Sequence, residues 1–501
     1  MSNFILEITD LNQQGQGVGR LDGQVVFVEG AIPGDAVRVD ILSRARHYAV
    51  ATVAELLRPS PDRVTPFCPV AERCGGCALQ PMAYPAQLAH KRRHVVELLQ
   101  RIGRLPEADA LVRPVLGMAE PFAYRCKIQF PIRGTVDQPE IGFYARRSHD
   151  VVDSTTCAVG HPVGDRVRAV IRRYIQQFKV RPYDEATHSG SLRHLVVRVG
   201  HSTGQVMVML VSRTNDLPGR DWLKAELTHA IATSVPGPAC PAYPASLVPS
   251  GLAARSASGS DAVEYALTTL VLNLQPARTN VILGRQTETW YGPGWIEDRL
   301  LGLTFRISPL SFFQVNPRQT EVLYQLAIDR LALKPGETCL DLYCGTGTIA
   351  LALARSVQDQ LAASDTQAHD QPIRVTGVES VAPAIADARI NAAQNGLEAV
   401  EFVVAEAETW LPDAVARGAI HPTAAVIDPP RRGCDDALLA TLTQIQLERL
   451  VYVSCNPATL ARDLERLSAA YSVVSVQPVD LFPWTDSVEC VCLLVRREIK
   501  Q

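Results

Sequence analysis

The first sixty residues alternate short apolar runs with turn residues. FILEITDL, VVFV, AVRVDIL and YAVATVAEL are rich in Val, Ile and Leu, and Gly or Pro-Gly separates several of them. Short strands at this spacing predict a small β-barrel over 1–61. Residues 61–82 break the pattern with four prolines and three cysteines and read as a loop. AQLAHKRRHVVELLQRIGRL (86–105) sets its apolar residues at helical spacing and predicts an amphipathic helix with a basic start. Strand-like runs follow (KIQFPI, IGFYA, LVVRVG, QVMVMLV), with a second helix expected over 161–178, so 62–300 reads as an α+β domain. Within it, 234–263 is dominated by Pro, Ser, Ala and Gly with almost no charge, the composition of a disordered insertion. From about 301 strands and helices alternate, the sign of a parallel α/β sheet, interrupted by a polar stretch at 356–374. The expectation is a multidomain α/β chain.

Length agrees, because 501 residues exceed what one core supports. No run of 18 apolar residues crosses a membrane, and MSNFILEITD has neither the basic start nor the apolar run of a signal peptide, so a cytoplasmic protein is expected. In that setting twelve cysteines point to metal binding or catalysis rather than disulfides. Net charge is only −3, but residues 85–200 hold 19 Lys or Arg against 11 Asp or Glu. A locally basic region suits phosphates, and an ordinary solvated surface accounts for it about as well. The barrel has five Arg against seven acids, so charge gives it no RNA signature.

ETCLDLYCGTGTIALALA (337–354) carries the first chemistry. An apolar strand runs into Gly345-Thr346-Gly347, and a helix is expected from about Thr348. Glycines at a strand tip let backbone approach a ligand, and the helix supplies free N–H groups. A dinucleotide fingerprint tolerates Ala350 at its third position, so the glycines leave the cofactor open. Asp341 and the D-x-x-C-G-x-G form resemble S-adenosylmethionine methyltransferases, since an acid so close opposes a diphosphate. RVTGVES (374–380) ends its strand at Glu379, placed to accept ribose hydroxyls. AAVIDPPRRGC (424–434) stops an apolar strand at Asp428, and two prolines stiffen the turn. Methyltransferases acting on amino groups usually follow DPP with an aromatic residue. Arg431 stands there instead and directs the search to another chemistry.

LVYVSCNPATLARDL (450–464) places Cys455 between a buried strand and a helix. Buried cysteines are commonly plain hydrophobes. At a strand's C-terminal end beside a helix N-terminus, however, a thiol is expected to titrate lower, toward neutrality. A thiolate has a use here. Added to carbon 6 of uracil, it makes carbon 5 nucleophilic enough to take a methyl group, after which a base must remove the carbon 5 proton. DLFPWTDSVECVCLLV (480–495) offers Glu489 as that base, with Asp486 as rival. Glu489 lies 34 positions after Cys455, so the two meet only if their strand ends are neighbours.

SCNPATLARDL, DPPRRG, DLYCGTGTIAL, SPLSFFQVN and the D-x-F-P-x-T-x-x-V-E segment together resemble the RNA uracil-5-methyltransferase family, nearest its 23S ribosomal RNA branch, over nearly the whole chain. The resemblance implies Cys455 as nucleophile, Glu489 as base, and Gln314, Tyr343, Glu379 and Asp428, beside Gly345, as contacts to S-adenosylmethionine. It also implies a Rossmann-like class I methyltransferase domain over 301–501. LNQQGQGVGRLDGQVVFVEGAIPGDAVRVDI is similar to the TRAM domain, an OB-like RNA-binding barrel, which supports RNA contact where charge did not. Cys68, Cys74 and Cys77 have C-x5-C-x2-C spacing, and Cys157 in VVDSTTC is the implied fourth ligand. Spacing alone leaves zinc open, since four thiolates suit both. The ribosomal branch holds a [4Fe–4S] cluster this way. In that branch the helix near 86–105 packs on the methyltransferase domain, so residues 86–114 belong with it. Arg125, Lys127 and Arg193 are candidate RNA contacts. The chain departs from the family at Ser487, where His is usual, and at Cys126 in YRCK, where Asn is common.

Three functions compete: a uridine C5-methyltransferase of 23S ribosomal RNA, or of transfer RNA; a radical or redox iron–sulfur enzyme, which would need C-x3-C-x2-C; and an RNA-binding protein with an inactive transferase domain. Cys455 and Glu489 together favour the first. No membrane partner is expected, and a monomer is compatible with the pattern.

Overall fold

The computed structural model describes residues 4–232, 263–363, 374–445 and 447–497. The segment expected to be a disordered insertion lies, apart from Val263, outside the described residues. So does 364–373 of the second polar stretch, whose first part, 356–363, instead completes the helix Thr348–Ala363.

Residues 4–58 form a curled six-stranded sheet in the order Phe4–Glu7, Ala36–Arg44, Tyr48–Arg58, Gln24–Glu29, Gly17–Leu21, Asp10–Leu11. Alternate residues point inward, and Leu6, Val26, Val28, Val37, Val39 and Ala51 make its core. The FILEITDL run divides into two strands, Phe4–Glu7 and Asp10–Leu11, and Gly17–Leu21 escaped the apolar pattern. In Gly17–Leu21 glycine is required: a Cβ on Gly17 would stand 2.8 Å from the Ile8 side chain and 2.9 Å from the Ala31 carbonyl oxygen.

The middle of the chain builds a seven-stranded sheet in which Lys127–Gly134, Leu192–Val199, Gln205–Ser212 and Ala266–Leu274 are four of the five inner strands. Their side chains divide between two cores. Leu195 and Val197 face the helices Pro162–Phe178 and Arg220–Ala232, whereas Val196, Met207 and Met209 join Phe305 and Leu323 of the C-terminal domain. Burial on both faces explains why these strands read as unbroken apolar runs. The break expected at 300/301 falls within a hairpin, because Ile296–Leu300 pairs with Leu303–Ile307, and the C-terminal domain therefore begins before it.

That domain holds a seven-stranded sheet in the order Glu401–Val404, Arg374–Glu379, Thr338–Leu342, Ala424–Ile427, Arg449–Ser454, Glu489–Arg496, Tyr471–Val479. The first five strands are parallel, and Glu489–Arg496 is antiparallel to both its neighbours. The strand order reverses between Thr338–Leu342 and Ala424–Ile427, the place where such sheets bind ligands.

Residues 84–116 complete this domain although they precede the middle one. The helix Tyr84–Arg101 has Pro85 in its first turn and buries Val95, Val96 and Leu99 against Leu460 and Leu464. Arg113 and Leu116 then donate backbone N–H groups to the carbonyls of Val476 and Pro478, extending the sheet edge.

Candidate active site

At the strand reversal, where ligand sites form in such sheets, a cleft opens. Gln314, Tyr343, Gly345 and Asp428 line it, together with Asp341 and Tyr324. The loop after Thr338–Leu342 is conformationally demanding: Tyr343, Gly345 and Gly347 have φ of +67°, +55° and +81°. A tyrosine in this left-handed region costs about 1–3 kcal/mol and persists only where its surroundings impose it. Here the N–H groups of Tyr343 and Cys344 both reach the Val378 carbonyl, at 2.9 and 3.1 Å, and the Tyr343 hydroxyl donates to Glu408 at 3.0 Å. Gly345 is open toward the cleft, with no atom within 4 Å of a Cβ built on it.

Glu379 does not line the cleft but reaches its loop: its Oε2 accepts from the Gly345 N–H at 3.3 Å, and its Oε1 from the Val381 N–H at 2.9 Å. Gln314 hydrogen-bonds the buried Tyr324 hydroxyl. Asn316, two residues on, caps the helix Pro317–Leu331 and donates to the Leu481 carbonyl at 2.9 Å.

Asp341 is fully buried. Its Oδ2 accepts from the Ala350 N–H at 2.8 Å, while Oδ1 has no partner. Burial pushes this carboxyl well above the usual range. Burial also lifts Asp428, at the end of Ala424–Ile427, to about 7. An orphaned buried acceptor beside two more acids suits a nucleoside-bearing cation and opposes a diphosphate. S-adenosylmethionine, with its ammonium and sulfonium charges, fits this donor set.

Cys455 and Glu489 stand at neighbouring strand ends next to the cleft. In the antiparallel register Ser454 faces Cys490, so the next residue outward on each strand is the thiol and the carboxyl. The turn at Cys455 is fixed by Asn456, whose Oδ1 accepts from the Ala458 N–H at 3.1 Å and whose Nδ2 donates to the Arg431 carbonyl at 2.9 Å. Glu489 is 4% exposed, and burial, reinforced by Asp428, raises it to about 8. Asp486, the rival base, is exposed.

The thiol departs from expectation. Burial, with Glu489 and Asp428 adding, raises Cys455 to about 11 rather than lowering it, and Arg431 only partly offsets this. Desolvation and two nearby acids outweigh the short helix that follows. Arg431 is the residue that sequence reasoning undervalued: its charge lowers both Cys455 and Glu489. Its place after Asp-Pro-Pro was the available signal. Asp463 was missed altogether. Buried on the helix Pro457–Leu467, it accepts from the Cys434 N–H at 2.8 Å and the Tyr452 hydroxyl at 2.7 Å, clasping the 428–434 loop to the helix behind Cys455.

Cys68, Cys74, Cys77 and Cys157 line one cavity of about 550 Å³. Burial raises Cys77 to about 12 and Cys157 to about 11, in each case with another of these cysteines adding to the rise. Among the described residues no three His, Cys, Asp or Glu side chains are grouped so as to hold a metal ion. Cys126 is buried elsewhere.

Of the candidate RNA contacts, Arg193 is buried and Arg125 and Lys127 are half-buried. Arg193 is 2% exposed; its guanidinium donates to the carbonyls of Gln275, Ala277 and Thr279 and lies over the Tyr183 ring. Arg125 borders the cysteine cavity and lies over Phe482. Lys127 shares a small pocket with Arg198 and Gln314, where burial lowers it to about 7. Several arginines of 85–200 are held in pairs with acids of the same region, as in Arg168–Asp165, Arg172–Asp153 and Arg133–Glu185. The wider opening is a groove of about 1,040 Å³ between the barrel, the cysteine loop and the catalytic domain, lined by Gln14, Glu29, Gly76, Tyr144, Arg147 and Asp486 among others.

Residues 295–497 match the tRNA (uracil-5-)-methyltransferase family and residues 5–54 the TRAM domain. A protein of Halalkalibacterium halodurans described as an uncharacterized RNA methyltransferase is 39% identical over 495 residues, 98% of this chain and 97% of the relative. A similarly described protein of Clostridium acetobutylicum is 36% identical over 496 residues, 99% and 97% of the two chains. Among solved structures, the Pyrococcus abyssi tRNA (uracil-54, C5)-methyltransferase in complex with S-adenosyl-L-homocysteine superposes with a TM-score of 0.70 at 25% identity, over 99% of this chain and all of that one. An acid-lined cleft at the strand reversal and relatives aligned end to end lead to one conclusion: this chain belongs to the RNA (uracil-5-)-methyltransferase family and is an S-adenosylmethionine-dependent enzyme with an N-terminal TRAM domain.

Proposed function

We propose that the enzyme methylates carbon 5 of a uridine in 23S ribosomal RNA, in the cytoplasm, through a covalent bond between Cys455 and the uracil ring. The observation that carries this reading is the pairing of strand ends that sets the Cys455 thiol beside a desolvated Glu489 at the mouth of an acid-lined cleft. Asp341, Gly345, Glu379, Gln314, Tyr343 and Asp428 hold the cofactor, which supplies an electrophilic methyl group.

The Cys455 sulfur adds to carbon 6 of the uracil. The ring's double-bond electrons move toward carbon 5 and the carbon 4 oxygen, and carbon 5 forms its bond to the methyl carbon as the methyl–sulfur bond breaks. Glu489 then removes the proton from carbon 5. The released electron pair restores the ring double bond and expels the Cys455 thiolate. A carboxyl near 8 is a far better base than an ordinary one. The resting thiol, near 11, is protonated, so Arg431 has a task in the attacking state: its positive charge favours the thiolate. The target base must leave its stack to reach this site, at a cost of a few kcal/mol.

The four cysteines bind a [4Fe–4S] cluster in this reading. Four thiols that line one cavity, three of them at C-x5-C-x2-C spacing, support this reading, and the family resemblance rather than the geometry favours a cluster over zinc. RNA has a landing face on the barrel. The turns 21–24 and 45–48 are joined by the Gln24 side chain donating to the Ala45 carbonyl, and they expose Arg20, Arg44, Arg46, His47 and Tyr48. Cations interleaved with an aromatic ring suit a nucleic-acid strand despite the barrel's net acidity.

Transfer RNA is the second reading, favoured by the Pyrococcus enzyme's substrate. That enzyme aligns over 99% of this chain, the barrel included, so the barrel does not discriminate; the choice of ribosomal RNA rests on the motif resemblance. Mapping 5-methyluridine in both RNAs, from cells with and without the gene, separates them. The covalent step is tested with RNA bearing 5-fluorouridine, whose fluorine blocks proton removal: a denaturation-stable complex is expected from the native enzyme, and none from Cys455→Ala.

A further inference from the structure

Glu489 opens its strand at the end of a nine-residue connection, Asp480–Val488, that begins after Tyr471–Val479. Val479 pairs with Glu489, so both ends of this connection bear on the base. Side chains from other segments hold it. The Asp480 carboxylate takes the buried Lys91 ammonium at 2.6 Å and the Tyr84 hydroxyl at 2.8 Å. The Pro483 carbonyl accepts from the Tyr124 hydroxyl at 3.0 Å.

Its centre is Trp484, wholly buried and at φ +69°. The Trp484 N–H donates to Gln87 Oε1 at 3.2 Å, the indole Nε1 donates to the Pro121 carbonyl at 2.7 Å, and the Trp484 carbonyl accepts from the Leu79 N–H at 2.9 Å. The indole packs against Phe67 at 5.0 Å and Phe122 at 5.4 Å between ring centres. Phe67 adjoins Cys68, Leu79 follows Cys77 by two residues, and Cys77 and Cys157 belong to the same apolar cluster as Trp484. The left-handed backbone at 484 is one a non-glycine residue keeps only when its contacts impose it, and here those contacts come from the cysteine-bearing loop and its neighbours.

We infer that Trp484 is a positioning residue that transmits the setting of the cysteine-bearing loop to Glu489, making proton removal from carbon 5, rather than attack by Cys455, the step that depends on that loop. The inference rests on the covalent reading above. Cys455 lies on a different strand end, at a turn fixed by Asn456 through the Ala458 N–H and the Arg431 carbonyl, neither of which belongs to the connection.

The two steps separate experimentally. With ordinary uridine RNA and methyl-labelled cofactor, Trp484→Leu is expected to slow product release about tenfold or more, with KM for RNA changed less than about twofold. It is also expected to retain the label in a denaturation-stable protein–RNA complex, because addition and methyl transfer proceed while elimination stalls. Trp484→Phe, which keeps an aromatic disc, is expected to retain less. Both variants should still form the complex with 5-fluorouridine RNA at the native rate. Label retention no greater than in the native enzyme overturns the inference. So does a loss of the 5-fluorouridine complex that matches the loss of turnover, since Trp484 would then support the whole site. If the native enzyme forms no complex with 5-fluorouridine RNA, the covalent reading itself fails and takes this inference with it.

Discussion

The Gly345 N–H donates to Glu379 Oε2 at 3.3 Å, so the carboxylate at the end of the second strand is locked to the loop that follows the first. One acid thus shapes the glycine loop and remains beside the cleft. Replacing Glu379 by Ala removes a charged hydrogen-bond acceptor worth about 1.5–3 kcal/mol. Binding of S-adenosyl-L-homocysteine, followed by titration calorimetry, should weaken about 10- to 100-fold. An unchanged affinity would remove Glu379 from the cofactor site.

The pH dependence follows from Glu489. Its active form is the carboxylate, and burial places its titration at about 8. Below that value the active fraction falls about tenfold per pH unit. Release of product from the preformed methylated covalent complex should therefore rise from pH 6 and level off above 8. Glu489→Gln should abolish the rise and leave a methylated covalent complex. A flat native profile over this range would speak against Glu489 as base.

The cysteine cavity makes a compositional prediction. Anaerobically purified protein should carry about four iron and four sulfide per chain, with a broad visible absorption. Cys74→Ala or Cys157→Ala should lower both. Stoichiometric zinc with no sulfide, measured by elemental analysis, would replace the cluster with a metal ion.

Asp35 ties the barrel to the cysteine-bearing segment after it. Its wholly buried carboxylate accepts from the N–H groups of Ile32 and Ser60, at 2.8 and 2.9 Å, and from Arg63 Nε at 3.0 Å. Burial alone would raise this group, but Arg63 and the two amides hold it below its ordinary 3.8. A depressed carboxylate stabilises the fold fully above its unfolded value and loses that contribution as pH falls through the lower folded one. Thermal melts should show Asp35→Ala destabilised by about 3–5 kcal/mol at pH 7, the usual cost of breaking a buried pair. The gap to the native protein should narrow as pH drops below 3.8.

Much of this was legible along the chain because it is local. The helix expected at 161–178 spans Pro162–Phe178, and the one expected from Thr348 begins there. The first has strong periodicity and Pro162 in its opening turn, and the second follows directly on the glycine loop. Gly17–Leu21 escaped notice because its glycines answer to neighbours elsewhere in the barrel rather than to an apolar pattern. Arg193 stood among the candidate RNA contacts, and its residue type says nothing of its burial. Only the fold surrounds it with three carbonyls and a tyrosine ring.

Residue order was enough to specify the kinds of element, the glycine loop, and which side chains carry sulfur or carboxyl chemistry, since propensity, spacing and residue type act over a few neighbours. Packing of distant segments was needed to bring residues 34 positions apart to neighbouring strand ends, to set the Cys455 thiol high rather than low, and to pack the cysteine loop against Trp484 in the connection that leads to the base. Desolvation and register depend on segments that meet only when the chain is packed, and no local pattern records them.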